Sequence, residues 1–162
     1  MSHVSVSRFF TIPVHELFGY FIDARLIESW SAPEGMTLHV PLLDVKAGGK
    51  YRYVHTSPQG NYICDGHFRK IIQNELLKMV DDKIIDPDGN LSGKDLQTEV
   101  KFVSFASGSG VEVKVTGFQN AQFAEECEKG WNQCFDKLQD LVKDSGPHQF
   151  HSEENWNRVQ GA

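Results

Sequence analysis

The side chains of this chain that could do chemistry are three cysteines, seven histidines, adjacent carboxylates and a short run of aromatic hydroxyls. Cys64 and His67 have the spacing of half a metal site, and His148 with His151 repeats the pattern. Neither finds a second half, because the sequence has no CysXXCys, no HisGluXXHis and no cluster of acids with histidine. The reading is no metal and no cofactor. Cys127 and Cys134 fall two helical turns apart on one face, about 10 Å from each other, too far to pair while the helix is intact. Burial on that face raises a thiol's pKa and leaves it inert. In Asp81–Asp82 and Glu125–Glu126 the members of each pair point in different directions and read as solvated charges. No GlyXSerXGly elbow or phosphate-cradling glycine loop is present. Catalysis would have to come from single polar groups such as His39, His55, Asp65 or His67, set in an apolar cavity where desolvation shifts a pKa. The sequence does not choose among them, and no catalytic residue is assigned.

Two further groups point to binding rather than reaction. Tyr51, Tyr53 and His55 alternate along one strand face, with Arg52 on the other, and could line a pocket with a polar tip at its mouth. Trp131 sits beside Gly130 in a helical stretch and reads either as core or as a ring lying flat against a pocket. A glycine inside a helix costs about 1 kcal/mol relative to alanine, so packing or pocket shape must offset it.

These residues need elements to position them, and the strongest is the stretch from Ala121 to Lys143. Phe123, Cys127, Trp131, Cys134, Leu138 and Leu141 recur every three or four positions, with Ala124, Phe135 and Val142 widening the stripe. Asn120 suits the N-cap, and Lys143 with Ser145, Gly146 and Pro147 reads as a stop. Such a helix spans roughly 34 Å and has no helical partner of that length elsewhere in the chain, so it must lie on a sheet.

The strands are legible in turn. Val4 to Thr11 is the first, and short helices over Val14 to Phe21 and Ala24 to Trp30 follow it. Met36, Leu38, Val40 and Leu42 alternate with Thr37, His39 and Pro41 as a second strand, whose proline predicts an edge. Tyr51 to Thr56, Tyr62 to Ile72 and Leu76 to Ile85 are the next three, the middle one with a bulge expected at Gly66. Asp86 to Asp95 reads as a polar loop. Thr98, Val100 and Phe102, then Val111, Val113 and Val115, mark the last two strands, with Gly108 to Gly110 as the hairpin between them. Phe102, Val100, Val113, Val115, Trp131 and Phe135 should converge between sheet and helix. The result is an α+β fold: a seven-stranded antiparallel sheet around a long C-terminal helix, with two short helices after the first strand.

Composition sets the bounds. A chain of 162 residues with 40% hydrophobic and 11% aromatic residues supports one domain with a sizeable core. Its net charge of −6, with no basic run or basic helix face, argues against nucleic acid and anionic membrane as partners. No signal-peptide pattern and no membrane-length apolar run are found, and the few cysteines fit a reducing compartment, so a cytoplasmic location is expected. The domain is expected over 1–145, followed by a polar tail over 146–162 in which Phe150 and Trp156 are isolated; it should be poorly ordered.

Three segments then carry a resemblance: FIDARLIESWSAPEG at 21–35, DVKAGGKYRY at 44–53 and EKGWNQCFDKL at 128–138. In this order and spacing they resemble the heat-shock-protein-90 ATPase activator homologue-like family, part of the SRPBCC or START-like superfamily with the birch-pollen-allergen, helix-grip fold. The match spans about residues 4 to 143. It departs at Tyr51, where the family often has Trp, and at Asn74 to Lys78, where a proline turn is more usual. The resemblance implies a curved sheet gripping the last helix around a cavity for a small apolar molecule. It also implies two alternatives, an enzyme of the cyclase or hydratase type using the same cavity, and a module that interacts with the chaperone and regulates its ATPase. The residues expected on or near the cavity wall are Trp30, Tyr51, Tyr53, His55, Phe102, Val113, Trp131 and Phe135, and the expected partner is a small hydrophobic molecule.

Overall fold

The computed structural model describes residues 3–144. Its elements run β1 (Val4–Phe10), α1 (Val14–Gly19), α2 (Ala24–Trp30), β2 (Thr37–Leu43), β3 (Lys50–Ser57), β4 (Gly60–Ile72), β5 (Leu76–Ile85), β6 (Leu91–Phe105), β7 (Gly108–Thr116) and α3 (Ala121–Asp144). This is the expected succession. The expected tail and the stop signal after Lys143 lie outside the described residues.

All seven strands pair antiparallel in the order β1-β7-β6-β5-β4-β3-β2. Because β1 and β2 are the two edges, the chain between them must cross from one side of the sheet to the other, and α1 and α2 make that crossing. Asp23 starts α2 by accepting the backbone N–H groups of Arg25 and Leu26 at 2.9 and 3.2 Å. On the far side, Glu28 of α2 accepts the Val40 N–H at 2.8 Å and meets His39 Nδ1 at 3.0 Å, which ties the helix to the β2 edge.

Cross-strand register aligns the apolar positions into rows. Val6, Val113, Val100 and Leu77 are successive partners across β1, β7, β6 and β5, and all are buried. Phe102, Val113 and Val115 point inward, as the alternation requires. Phe135, Leu138 and Val142 of α3 come down on this floor, with Phe135 edge-on to Phe10 and stacked on Trp30. Polar ties hold the helix along β1. The Arg8 guanidinium donates to Asp136 and Gln139 at 2.8 Å, and Gln139 Nε2 donates to the Phe9 carbonyl at 3.1 Å. At the other end Asn120 caps α3 through the Phe123 N–H at 2.8 Å.

Three local expectations need correction. The polar segment from Asp86 is a loop only as far as Asn90; Leu91 already pairs with Ile85, because long β5 carries its partner strand with it. Gly108 to Gly110 lie within β7 opposite Phe9 and Phe10, and the hairpin turns at Ala106 and Ser107 instead. In β2 the register shifts between His39 and Leu42, so the alternation breaks at Pro41 and leaves Leu42 48% exposed. The bulge at Gly66 and the edge position of the proline strand are both present. At the β4–β5 turn Asn74 takes φ 63°, a left-handed conformation that asparagine tolerates.

Candidate functional site

A single stripe runs the length of α3, yet the helix meets the sheet closely only along its C-terminal half. Opposite Phe123, Cys127 and Trp131 the sheet stands away, and a cavity of about 660 Å³ opens between α3, α2 and strands β3 to β6. Trp30, Tyr51, Tyr53, His55 and Trp131 are on its wall. The other three expected wall residues are not. Phe102 packs edge-on against Phe18 and Phe21, Val113 is fully buried in the valine row, and Phe135 fills the space between Phe10, Trp30 and Trp131. They form the packed floor behind the cavity, because their strands and helix turn lie where α3 touches the sheet.

The wall is mostly apolar and aromatic. Trp30 and Trp131 are tilted against each other at 6.5 Å on the helix side, and Tyr51 and Tyr53 at 5.2 Å on the sheet side. Trp30 is anchored by its indole N–H, which donates to the Tyr20 carbonyl at 2.9 Å. Gly130 borders the space, and a Cβ there would meet only Pro33 Cγ at an ordinary 3.5 Å. No packing constraint demands glycine at this position, which leaves the shape of the cavity as its structural consequence.

One polar cluster interrupts this surface, and sequence reasoning missed its centre. Asp81, expected as a solvated charge, turns inward from β5 and borders the cavity. The Tyr51 hydroxyl donates to Asp81 Oδ1 at 2.6 Å, and the Cys64 thiol lies beside the carboxylate. Register explains the contact: Tyr51, Gly66 and Asp81 are successive cross-strand partners on β3, β4 and β5. Tyr51 reaches Asp81 by lying across Gly66, where a Cβ would collide with the tyrosine ring, its hydroxyl and the Val80 carbonyl. The glycine read as a bulge is thus also the gap through which two strands exchange a hydrogen bond. A signal was available in the sequence, since inward Leu77 and Met79 put Asp81 on the same face by strand alternation.

Burial raises the Asp81 pKa above the usual carboxylate range, against the Tyr51 hydrogen bond and the neighbouring Cys64 thiol, which favour the charged form. Burial, with the nearby Asp81 charge, likewise holds the Tyr51 and Tyr53 phenols and the Cys64 thiol above their ordinary values. His55 Nε2 lies 3.0 Å from the Ser31 carbonyl; since a carbonyl only accepts, that nitrogen carries the proton. Burial lowers the His55 pKa, outweighing the Ser31 contact and Asp81, which makes the neutral ring the favoured form. Cys127 and Cys134 are pushed up to about 12 by burial, in line with unreactive thiols.

Of the other polar candidates, none reaches the cavity. His39 is on the outer side with Glu28, Asp65 pairs with Arg52 at 2.6 and 2.9 Å on the convex face, and His67 meets Asp82 at 3.0 Å. Cys64 and His67 therefore lie on opposite faces of β4 and cannot share a ligand. Among the described residues no group of three or more His, Cys, Asp or Glu is placed to hold a metal ion.

A curled antiparallel sheet, an edge-to-edge helical crossing and a long helix gripped at one end define the helix-grip fold. The chain belongs to the Activator of Hsp90 ATPase homolog 1-like family, whose model matches residues 11–143. Solved structures share the fold. A protein of Chromobacterium violaceum is similar with a TM-score of 0.76 at 20% identity, covering 86% of this chain and 96% of its own. A protein of Arthrobacter aurescens reaches 0.77 at 18% identity, over 93% and 92%. The AHSA1 protein of Silicibacter pomeroyi reaches 0.70 at 20%, over 87% and 97%. No curated protein matches the chain. Among the described residues no helix is long and apolar enough to cross a membrane.

Proposed function

We propose that the protein binds a small, largely apolar molecule in the space between α3 and the concave sheet. The observation that carries this reading is a cavity of about 660 Å³ walled by indole, phenol and aliphatic groups with only a few polar tips, the usual make-up of a small-molecule site. Titration with the neutral dye N-phenyl-1-naphthylamine tests it. Binding should brighten and blue-shift the dye, quench tryptophan emission from Trp30 and Trp131, and raise the melting temperature with dye concentration, since a ligand of the native state stabilises it by mass action. Absence of all three changes, with fatty acids and flat aromatics equally silent, would overturn it.

Asp81 favours a second reading, in which the same cavity is the vessel of a cyclase or hydratase. A carboxyl group whose pKa is raised by burial is suited to passing a proton to or from a bound substrate. That reading requires turnover that Asp81→Asn abolishes while binding survives. The reading as a chaperone-interacting module rests on the family's description. It requires a complex with purified heat-shock protein 90 and a change in its ATPase rate, and recovery of no complex would end it. The three thiols are free, which supports a reducing compartment, and we place the protein in the cytoplasm.

A further inference from the structure

We propose that the cavity selects ligands carrying a protonated amine on an apolar, preferably aromatic body, with Asp81 as the counter-ion and the surrounding rings as the seat of the ammonium group. The inference rests on the binding function proposed above and adds the chemistry of the ligand's head group.

Three observations lead to it. The first is the sign of the wall: its ionisable side chains besides phenols, thiols and the neutral His55 are the carboxylates Asp81, Asp86 and Glu126, and no lysine or arginine lies on it among the described residues. An anionic ligand such as a fatty acid would meet no cation there. The second is the setting of Asp81. It is held from one side by the Tyr51 hydroxyl, with the Cys64 thiol beside it on the sheet, and it faces a space large enough for a ligand. A carboxylate desolvated in this way gains most from a charged donor, because the attraction is weakly screened and the cost of burial is already met by the fold. The third is the density of rings. The tilted pair Tyr51 and Tyr53 flanks the carboxylate and the pair Trp30 and Trp131 lies on the helix side, which offers the negative π-faces that attract an ammonium group.

The titratable groups around Asp81 are Tyr51, Tyr53 and His55 from β3, Cys64 from β4 and Cys127 from α3, with Asp86 and Glu126 elsewhere on the same wall, while Asp82 lies on the opposite face with His67. As pH falls below neutrality, Asp81 and His55 are the two groups of this cluster that take up protons. Both protonations oppose a bound cation: one removes the counter-ion, the other adds a like charge. Amine affinity should therefore fall with pH although the amine stays charged, whereas the affinity of a neutral analogue should hardly change.

The test uses three probes with one ring system: 2-(1-naphthyl)ethylamine, 2-(1-naphthyl)ethanol and 1-naphthylacetic acid, titrated calorimetrically against the full chain. At about pH 7.5, where the amine is charged, it should bind about tenfold or more tighter than the alcohol, the scale of a hydrogen bond to a charged group. The acid should bind weakest. Asp81→Asn should bring amine and alcohol to similar affinity, with the amine losing about tenfold or more. The pH series on the unaltered chain is a second measurement that needs no variant, and the amine's advantage should shrink as pH falls toward about 4.5. An alcohol that binds with no advantage for the amine, or an acid that binds tightest, overturns this inference and leaves the cavity reading standing. Three silent probes, with N-phenyl-1-naphthylamine silent too, overturn both.

Discussion

The two halves of α3 carry the same apolar stripe and end in different environments. Toward the C-terminus Phe135, Leu138 and Val142 are buried, with Phe135 between Phe10 of β1 and Trp30 of α2, and the Arg8 fork and Gln139 hold the helix against β1. Toward the N-terminus Phe123, Cys127 and Trp131 are half-buried and look across open space at Tyr51, Tyr53 and Asp81. Helical periodicity records that a face is covered, not what covers it. The difference is set by the sheet, whose β1–β7 edge closes on the helix while β3 to β5 curl away from it. One unbroken apolar stripe can therefore specify a core and a cavity wall in succession.

Substitutions in the two halves should break or sharpen that contrast. The largest effect is expected for Phe135→Ala, which removes a fully enclosed ring and should cost about 3 to 5 kcal/mol. Trp131→Ala removes a larger ring but should cost clearly less, about 1 to 2 kcal/mol, because part of its surface already faces the cavity. Denaturant midpoints would rank them, and a Trp131 cost equal to that of Phe135 would mean that the open half is packed after all. Next comes Gly66→Ala, which sets a methyl group against the Tyr51 ring and the Val80 carbonyl; overpacking of this kind costs about 1 to 3 kcal/mol and should displace the Tyr51 hydroxyl from Asp81.

Asp81→Asn should act in the opposite direction at neutral pH. A carboxyl whose pKa is raised in the folded state contributes stability that is fully present below its unfolded value, about 3.9, and is lost as pH rises through the folded value. Replacing it with a neutral amide should therefore stabilise the protein by about 1 kcal/mol at neutral pH, with the gain vanishing below about pH 4. Asp65 on the convex face gives the inverse control. Its pKa is lowered by the Arg52 hydrogen bond, so Asp65→Asn should lose a little stability above the unfolded value of about 3.9, a loss that fades as pH falls through the lowered folded value. Thermal melts across pH would read both signs. The smallest effect is expected for Gly130→Ala, which should stabilise α3 by about 1 kcal/mol at most, since the added methyl meets only Pro33 at a comfortable distance.

Much of this fold was legible because each local signal was redundant. Alternating valines in β7, the Asn120 cap and the stripe of α3 each predict their element, and together they leave one architecture. The site was less legible because its membership depends on where the sheet parts from the helix. Phe102, Val113 and Phe135 carry the same apolar signature as Trp30 and Trp131, and only the curl of the sheet separates floor from wall. Asp81 was missed for another reason. Its neighbour Asp82 made a polar dipeptide that reads as surface, and the alternation of Leu77 and Met79 that places it inward was outweighed by charge. The Tyr51 to Asp81 contact spans two strands through a glycine, a relation that exists only once the register is set.

Hydrogen exchange with and without saturating N-phenyl-1-naphthylamine tests the division of the helix most directly. Slower exchange should be concentrated in Phe123–Cys134 of α3 and in the Tyr51–His55 and Cys64 stretches of β3 and β4, with β1, β7 and the helix beyond Phe135 unchanged. Protection spread evenly over α3, or centred on β1 and β7, would contradict the account.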